Sequence, residues 1–159
     1  MKYITDKKEL EETEYYMKLA EKEAKKSTCR KSQRGAIIVK DGKVIGKGYN
    51  KVTLEKLCNP CIREKIRDNS RVELCSAIHA EQMAMIDAVN SGQTLKEARM
   101  YHTKVKKGEV VPCNDLSCTV CSRMIYEAGI DFVLWHSKGY ALYDPEELNR
   151  LSFNCFLKD

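Results

Sequence analysis

The sequence predicts an α/β layered domain built on a mixed sheet, and three observations carry that prediction. Its 159 residues are enough for one hydrophobic core, so a single domain over 1–159 is expected. The elements run helix, strand, strand, and then alternate helix and strand. Asp41-Gly42 separates two β-rich runs, which signals a type I′ hairpin.

Each element has a local reason. Thr13 to Lys26 reads as an amphipathic helix capped by Thr13, with Met17, Ala20 and Ala24 at helical spacing. Ala36-Ile37-Ile38-Val39 and Lys43 to Tyr49 are the two arms of the hairpin. Asn50 to Leu74 is a long polar connection. A second helix is expected over Ile78 to Asn90, burying Ala80, Met83, Ala84, Ile86 and Ala88, and ended by Ser91-Gly92. Arg99 to Val105 reads as a strand and Lys106 to Ser117 as a loop. Cys118 to Ala128 reads as a third helix, with Gly129 just past its end. Asp131 to Trp135 is an apolar strand. Asp144-Pro145-Glu146-Glu147 combines a cap, a first-turn proline and a Glu that completes the box, so it opens a last helix.

Composition excludes several classes. Hydrophobic residues make up 43% and charged residues 32%, which fits a folded chain and argues against disorder. No apolar run approaches the roughly 20 residues of a membrane span. Met1 to Glu14 is polar and acidic, unlike an export signal, so a cytoplasmic protein is expected. Eight cysteines would suit a disulfide scaffold only in a short secreted chain without a core. Reduced thiols, some of them holding metal, are the expectation instead.

Two short motifs carry the chemistry. His79-Ala80-Glu81 opens one helix and Cys118-Thr119-Val120-Cys121 opens another. One His and two Cys make three zinc ligands, and catalytic zinc keeps a fourth position open. Helix N-termini favour thiolates, and Cys118 and Cys121 lie one turn apart. Glu81, beside the ligands, is placed to take a proton from an activated water and pass it to a leaving group. Each motif alone is weak; together, at two helix starts in an α/β order, they match the layout of zinc nucleobase deaminases.

On these residues the chain resembles the cytidine and deoxycytidylate deaminases, over about Ser27 to Trp135. Ser27-Thr28-Cys29, Gln33 to Val39 and Gly48-Tyr49-Asn50 resemble that family's first hairpin. Glu73 to Gln82 resembles its first zinc element. Cys118 to Cys121, Arg123-Met124-Ile125 and Ala128-Gly129-Ile130 resemble its second. The deoxycytidylate branch is the nearest in pattern. The resemblance implies a three-layer α/β/α fold with a central mixed five-stranded sheet. It implies zinc on His79, Cys118 and Cys121, with Glu81 as proton shuttle. It also implies that Asn50 touches the sugar and that the Ala80 backbone N–H contacts the base carbonyl.

Three positions depart from the family pattern. Ser117 precedes Cys118 where Pro is usual, while Pro112 precedes Cys113; Cys113 is therefore the alternative ligand, although the spacing favours Cys118 and Cys121. Met83 stands where Asn is usual, and Asn90 where an Arg often helps to hold phosphate. The resemblance further suggests a second, structural zinc on Cys29, Cys58, Cys61 and Cys75. The other reading of these four is partly buried free thiols. Cys155, between Phe153 and Phe156, reads as core, and Cys113 has no other assigned role. His102 and His136 read as structural histidines.

The implied reaction is zinc-dependent hydrolytic deamination of a cytosine nucleotide, dCMP to dUMP. The alternatives are deamination of another base, including adenosine in tRNA, or a zinc-stabilised binding module without catalysis. The net charge is +5, with basic runs at Lys25-Lys26, Arg30-Lys31, Arg34 and Lys104 to Lys107. Aromatic residues do not interleave with them, so a small anionic substrate is favoured over nucleic acid. The resemblance implies a homo-oligomer.

Overall fold

The computed structural model describes residues 1–66 and 71–154. Cys155 lies outside the described residues. The strands are β1 (Lys2–Tyr3), β2 (Gln33–Lys40), β3 (Lys43–Tyr49), β4 (Lys51–Val52), β5 (Ala77–Ile78), β6 (Arg99–Lys106), β7 (Glu109–Val111), β8 (Asp131–His136) and β9 (Gly139–Tyr143). The helices are α1 (Lys7–Ala24), α2 (Ala80–Asn90), α3 (Thr119–Ala128) and α4 (Pro145–Ser152).

The main sheet runs β1-β9-β8-β6-β2-β3, with β7 added to β6 beyond the end of β8. β6 and β8 are parallel and the other pairs are antiparallel, so the sheet is mixed as expected. Its five long strands are β3, β2, β6, β8 and β9; two-residue β1 and three-residue β7 extend it to seven. β4 and β5 pair separately.

Alternating side chains sort the strands between two layers. Ile37, Val39, Tyr101 and Val133 face α1, packing with Tyr16, Met17 and Ala20. Ala36, Ile38, Met100, Phe132 and Leu134 face the other way, onto Ala80, Ala84, Ile125 and Leu148. β8 is buried on both faces, which explains its unbroken apolar run. Asp41 and Gly42 have φ of +50° and +72°, as a type I′ turn requires.

Several sequence expectations are corrected. α1 begins at Lys7, not Thr13: the Asp6 carboxylate accepts from the Glu9 N–H at 2.9 Å and caps it, while Thr13 is buried within the helix. The charged stretch before Thr13 is largely on α1's solvent face, so its lack of apolar periodicity hid the first turns. α2 begins at Ala80, because Ile78 pairs with Lys51 in a short strand. Ile86 is 46% exposed, on the outer face of α2 rather than in the core. The 106–117 stretch is not all loop, since it contains β7. Within 50–74, β4 and two single 3-10 turns, Glu55–Leu57 and Val72–Leu74, punctuate the connection.

Candidate active site

Two helix N-termini meet at one corner of the α2/α3 layer. His79 is the N-cap of α2, and Gln82 Oε1 accepts its backbone N–H at 2.9 Å. Cys118 is the N-cap of α3, and its Sγ accepts from the Cys121 N–H at 3.5 Å. A cysteine in a cap position normally filled by Ser or Asp is a thiolate seat.

What brings α2 to this corner is the absence of side chains on β3. A Cβ on Gly48 would meet the Ala80 carbonyl oxygen at 2.3 Å and the Ala84 nitrogen at 2.4 Å. One on Gly46 would meet the Ala84 carbonyl oxygen at 2.3 Å. Helix and hairpin therefore lie backbone against backbone, and the Asp87 carboxylate fixes their register by accepting the Lys47 N–H at 2.9 Å.

His79 Nδ1 lies 3.3 Å from Cys118 Sγ and 3.4 Å from Cys121 Sγ. Tetrahedral zinc with ligands at about 2.0–2.3 Å requires nitrogen and sulfur roughly 3.6 Å apart, so the three donors already have the spacing. Among the described residues, only this trio gathers three metal-donor atoms within 4.8 Å of one another. Cys118 and Cys121 are thus the thiols that join His79, and Cys113 is not.

The electrostatics suit a dication. The Cys118 thiol is lowered to about 5, chiefly by its hydrogen bond with Cys121, against the opposing effect of burial and with help from His79. Cys121 is pushed up by the Cys118 hydrogen bond and by burial. His79 is raised to about 10 by hydrogen bonds to Cys118 and then Cys75. Two thiols therefore share one negative charge around a protonated ring; a bound zinc would replace the protons.

Glu81 is 5% exposed, two residues after His79 in the first turn of α2. Burial raises its carboxyl, but His102, His79, its backbone hydrogen bond and Ser117 together hold it below the usual carboxylate range. Ser117 Oγ donates to Glu81 Oε1 at 2.9 Å, and His102 Nε2 lies 3.9 Å from Oε2. Burial drives the His102 ring down to about 4, so it is neutral near pH 7. It stacks on Phe132, with ring centroids 5.6 Å apart. The bland reading of His102 is therefore corrected: it is the wall beside Glu81. His136 does have a structural partner, with its Nε2 3.1 Å from the Tyr143 hydroxyl. Ser117, a departure from the family pattern in sequence, is a direct partner of Glu81. Neither role has a sequence signal, because both depend on register and on a loop path.

A cavity of about 330 Å³ reaches His79 and Cys118 of the trio, with Asn50, Ala80, Glu81 and His102 on its wall. Ala80 is the first residue of α2, so its N–H has no intrahelical partner. The Asn50 side chain is tied into the frame: Oδ1 accepts from the Ser27 hydroxyl at 2.6 Å and the Arg34 N–H at 2.7 Å, and Nδ2 donates to the Ser32 carbonyl at 2.6 Å.

Cys29, Cys58, Cys61 and Cys75 all line this same cavity and are half-buried. They are not gathered as the catalytic trio is. Cys58 Sγ lies 3.2 Å from Ser76 Oγ. The Cys75 thiol is lowered to about 7 by a hydrogen bond to His79, against the pull of burial.

Residues 10–137 match the family described as the cytidine and deoxycytidylate deaminase zinc-binding region. The deoxycytidylate deaminase of Saccharomyces cerevisiae is 30% identical over 132 residues, covering 80% of this chain. The chain spans 38% of that relative's length and 36% of the corresponding Schizosaccharomyces pombe protein. The deoxycytidylate deaminase of Mycobacterium phage D29 is 30% identical over 130 residues, which cover 77% of this chain and 91% of the phage protein. The dCMP deaminase of cyanophage S-TIM5 superposes with a TM-score of 0.53 at 25% identity, covering 76% of this chain and 78% of that one. Cytidine deaminase from Burkholderia pseudomallei shares the fold, with a TM-score of 0.56 at 18% identity and coverage of 85% and 94%. With its His/Cys/Cys trio and its buried Glu81 in this sheet and helix frame, the chain belongs to the cytidine and deoxycytidylate deaminase zinc-binding family.

Proposed function

We propose that this protein hydrolytically deaminates a cytosine nucleotide, dCMP, to dUMP and ammonia. The observation that carries the reading is the pairing of the His79/Cys118/Cys121 trio with a buried, ionised Glu81 on one cavity. Zinc held by the trio supplies Lewis acidity that brings water's pKa near neutral. Glu81 then takes the proton of the attacking water and delivers it to the departing amino group. The Ser117 hydrogen bond aims its carboxylate, and neutral His102 closes the far side without adding charge. The Ala80 N–H is the donor for the base carbonyl. The comparisons support the substrate: the S. cerevisiae and phage D29 relatives are deoxycytidylate deaminases.

Asn50 serves as the sugar contact, its orientation fixed by Ser27 and Ser32. Cys29, Cys58, Cys61 and Cys75 take a second, structural zinc; what supports this is that all four line one stretch of the same cavity. The chain works as a single deaminase domain, and as a homo-oligomer, for which exposed Ile86, Val89, Met124 and Tyr126 on α2 and α3 are the support. No helix among the described residues is long and apolar enough to cross a membrane. We place the protein in the cytoplasm, acting on a small molecule rather than on nucleic acid.

Zinc-loaded protein offered dCMP, CMP, deoxycytidine and cytidine should release ammonia fastest from dCMP. Full zinc content with no turnover on any of the four would overturn the reading. Two zinc ions per chain, falling to one in Cys61→Ser, would support the second site.

A further inference from the structure

The wall of the cavity away from the metal corner carries a second, opposite chemistry. Lys31, Arg34, Arg63, Lys104 and Lys106 line it, against Glu81 and Asp115 as the only carboxylates among the described residues. Such a surface draws an anion. Two of the cations are cross-strand partners: Arg34 on β2 is paired with Lys104 on β6. The next pair on the same face is Ala36 with His102, and His102 is the residue that walls Glu81. Two strand residues advance about 6.6–6.8 Å. The cationic pair thus stands about the length of a nucleoside, from base to 5′ carbon, beyond the reacting end.

An internal carboxylate already occupies this position. A single oxygen, Asp115 Oδ2, lies 3.4 Å from Arg34 Nη2 and 3.2 Å from Lys104 Nζ. The Asp115 side chain is 56% exposed, whereas Arg34 and Lys104 are 20% and 26% exposed. The cations are therefore part of the wall, and the carboxylate closes over them from the mouth. Asp115 is carried by the irregular segment between β7 and α3. One shared oxygen at these distances is a weak hold. Arg34, by contrast, is held firmly in place: Nε donates to Ser32 Oγ and Nη1 to Cys113 Sγ, both at 3.0 Å. A phosphate monoester offers three oxygens where Asp115 offers one.

We propose that Arg34 and Lys104 are the seat for the 5′-phosphate of the substrate, and that Asp115 is a stand-in anion displaced when the phosphate enters. This rests on the deaminase reading above, and it names the residues that separate nucleotide from nucleoside. It also gives buried Cys113 a role, as a brace for the Arg34 guanidinium.

The test is calorimetry on zinc-loaded protein with dUMP, deoxyuridine and inorganic phosphate, run alongside turnover of dCMP and deoxycytidine. Arg34→Gln and Lys104→Gln should each weaken dUMP binding by about 10- to 100-fold and leave deoxyuridine within about twofold. Lys104→Arg should retain dUMP binding, and Asp115→Asn should tighten it. Inorganic phosphate should compete with dUMP in the parent and not in Lys104→Gln. Equal losses on dUMP and deoxyuridine would mean a merely structural role and overturn the proposal. Unchanged dUMP binding in both Gln variants would also overturn it, as would weaker binding in Asp115→Asn. If the parent turns over no substrate while the dUMP pattern holds, the deaminase reading fails and the phosphate seat stands.

Discussion

The metal corner and the cysteine-rich stretch between β3 and α2 both present thiols to one cavity, yet they are built in opposite ways. His79, Cys118 and Cys121 are fixed by two regular helices whose N-caps they form or adjoin. α2 is in turn pressed onto β3 through Gly46 and Gly48. In the other region, Cys58 and Cys61 flank Pro60, and the two 3-10 turns nearby bury no residue. The first region holds its donors at metal spacing on packed, regular elements. The second has little apolar material to order it, so a bound ion would have to supply the order itself. The proposed reaction needs the first kind of rigidity, because a proton shuttle works only within hydrogen-bond reach.

That contrast can be broken in four ways. The largest effect is expected at Glu81. Glu81→Gln keeps the shape and removes the base, so kcat should fall by about 10³-fold while zinc content stays unchanged. Comparable activity in the variant, measured by ammonia release, would remove Glu81 from the mechanism.

The next effect is a pH dependence of stability. His102 titrates near 4 in the fold against an ordinary 6.5, chiefly through burial. Between those values the unfolded chain binds more protons than the folded one, so stability is full above about pH 6.5 and falls as pH drops toward 4. The loss is on the order of 3 kcal/mol. Urea unfolding of metal-free protein should show this slope, and His102→Gln should flatten it.

A smaller effect is expected at the helix–hairpin contact. Gly48→Ala inserts a Cβ where α2's backbone stands 2.3 Å away, and should cost about 1–3 kcal/mol in chemical denaturation. It should also weaken zinc binding, since it moves the end of α2 that carries His79. Stability loss without any change in zinc affinity would separate the hairpin from the metal corner. The smallest effect is expected in the soft region. In metal-free protein, Cys61→Ser should change stability by less than about 0.5 kcal/mol, because its half-buried thiol packs against little. A larger loss would show that this segment has a packed core of its own.

The parts of the molecule that are legible in sequence are those set by short-range spacing. His79-x-Glu81 and Cys118-x2-Cys121 are local patterns at helix starts, and Asp41-Gly42 fixes a turn by its own backbone preferences. The short strands β1 and β7, and β9 between β1 and β8, are harder. β1 is two residues long, and Lys106-Lys107-Gly108 reads as solvated loop although it is the tip of a hairpin. His102, Ser117 and Asp115 are invisible for a different reason, and Arg34 and Lys104 show in the sequence only as members of basic runs. Their meaning comes from which strand lies beside which, and from where a loop passes, and neither is written in any window of sequence. Lys104 in particular belongs to a basic run whose ordinary explanation is a wet surface; only its pairing with Arg34 across two strands turns it inward.

The β6–β7 hairpin, with Lys107 and Gly108 at φ of +52° and +85°, has a consequence for how such a protein can diversify. It turns back on β6 after Lys106 and leads the chain past Asp115 and Ser117 to Cys118. The excursion is spliced between the end of a strand and the start of a helix. Its tip, Lys107-Gly108, can drift in length and charge without disturbing the reaction centre, whereas its return through Cys113, Asp115 and Ser117 is tied to Arg34, Lys104 and Glu81. One return segment thus touches both the proposed proton shuttle and the proposed phosphate seat, so the two cannot change independently through it.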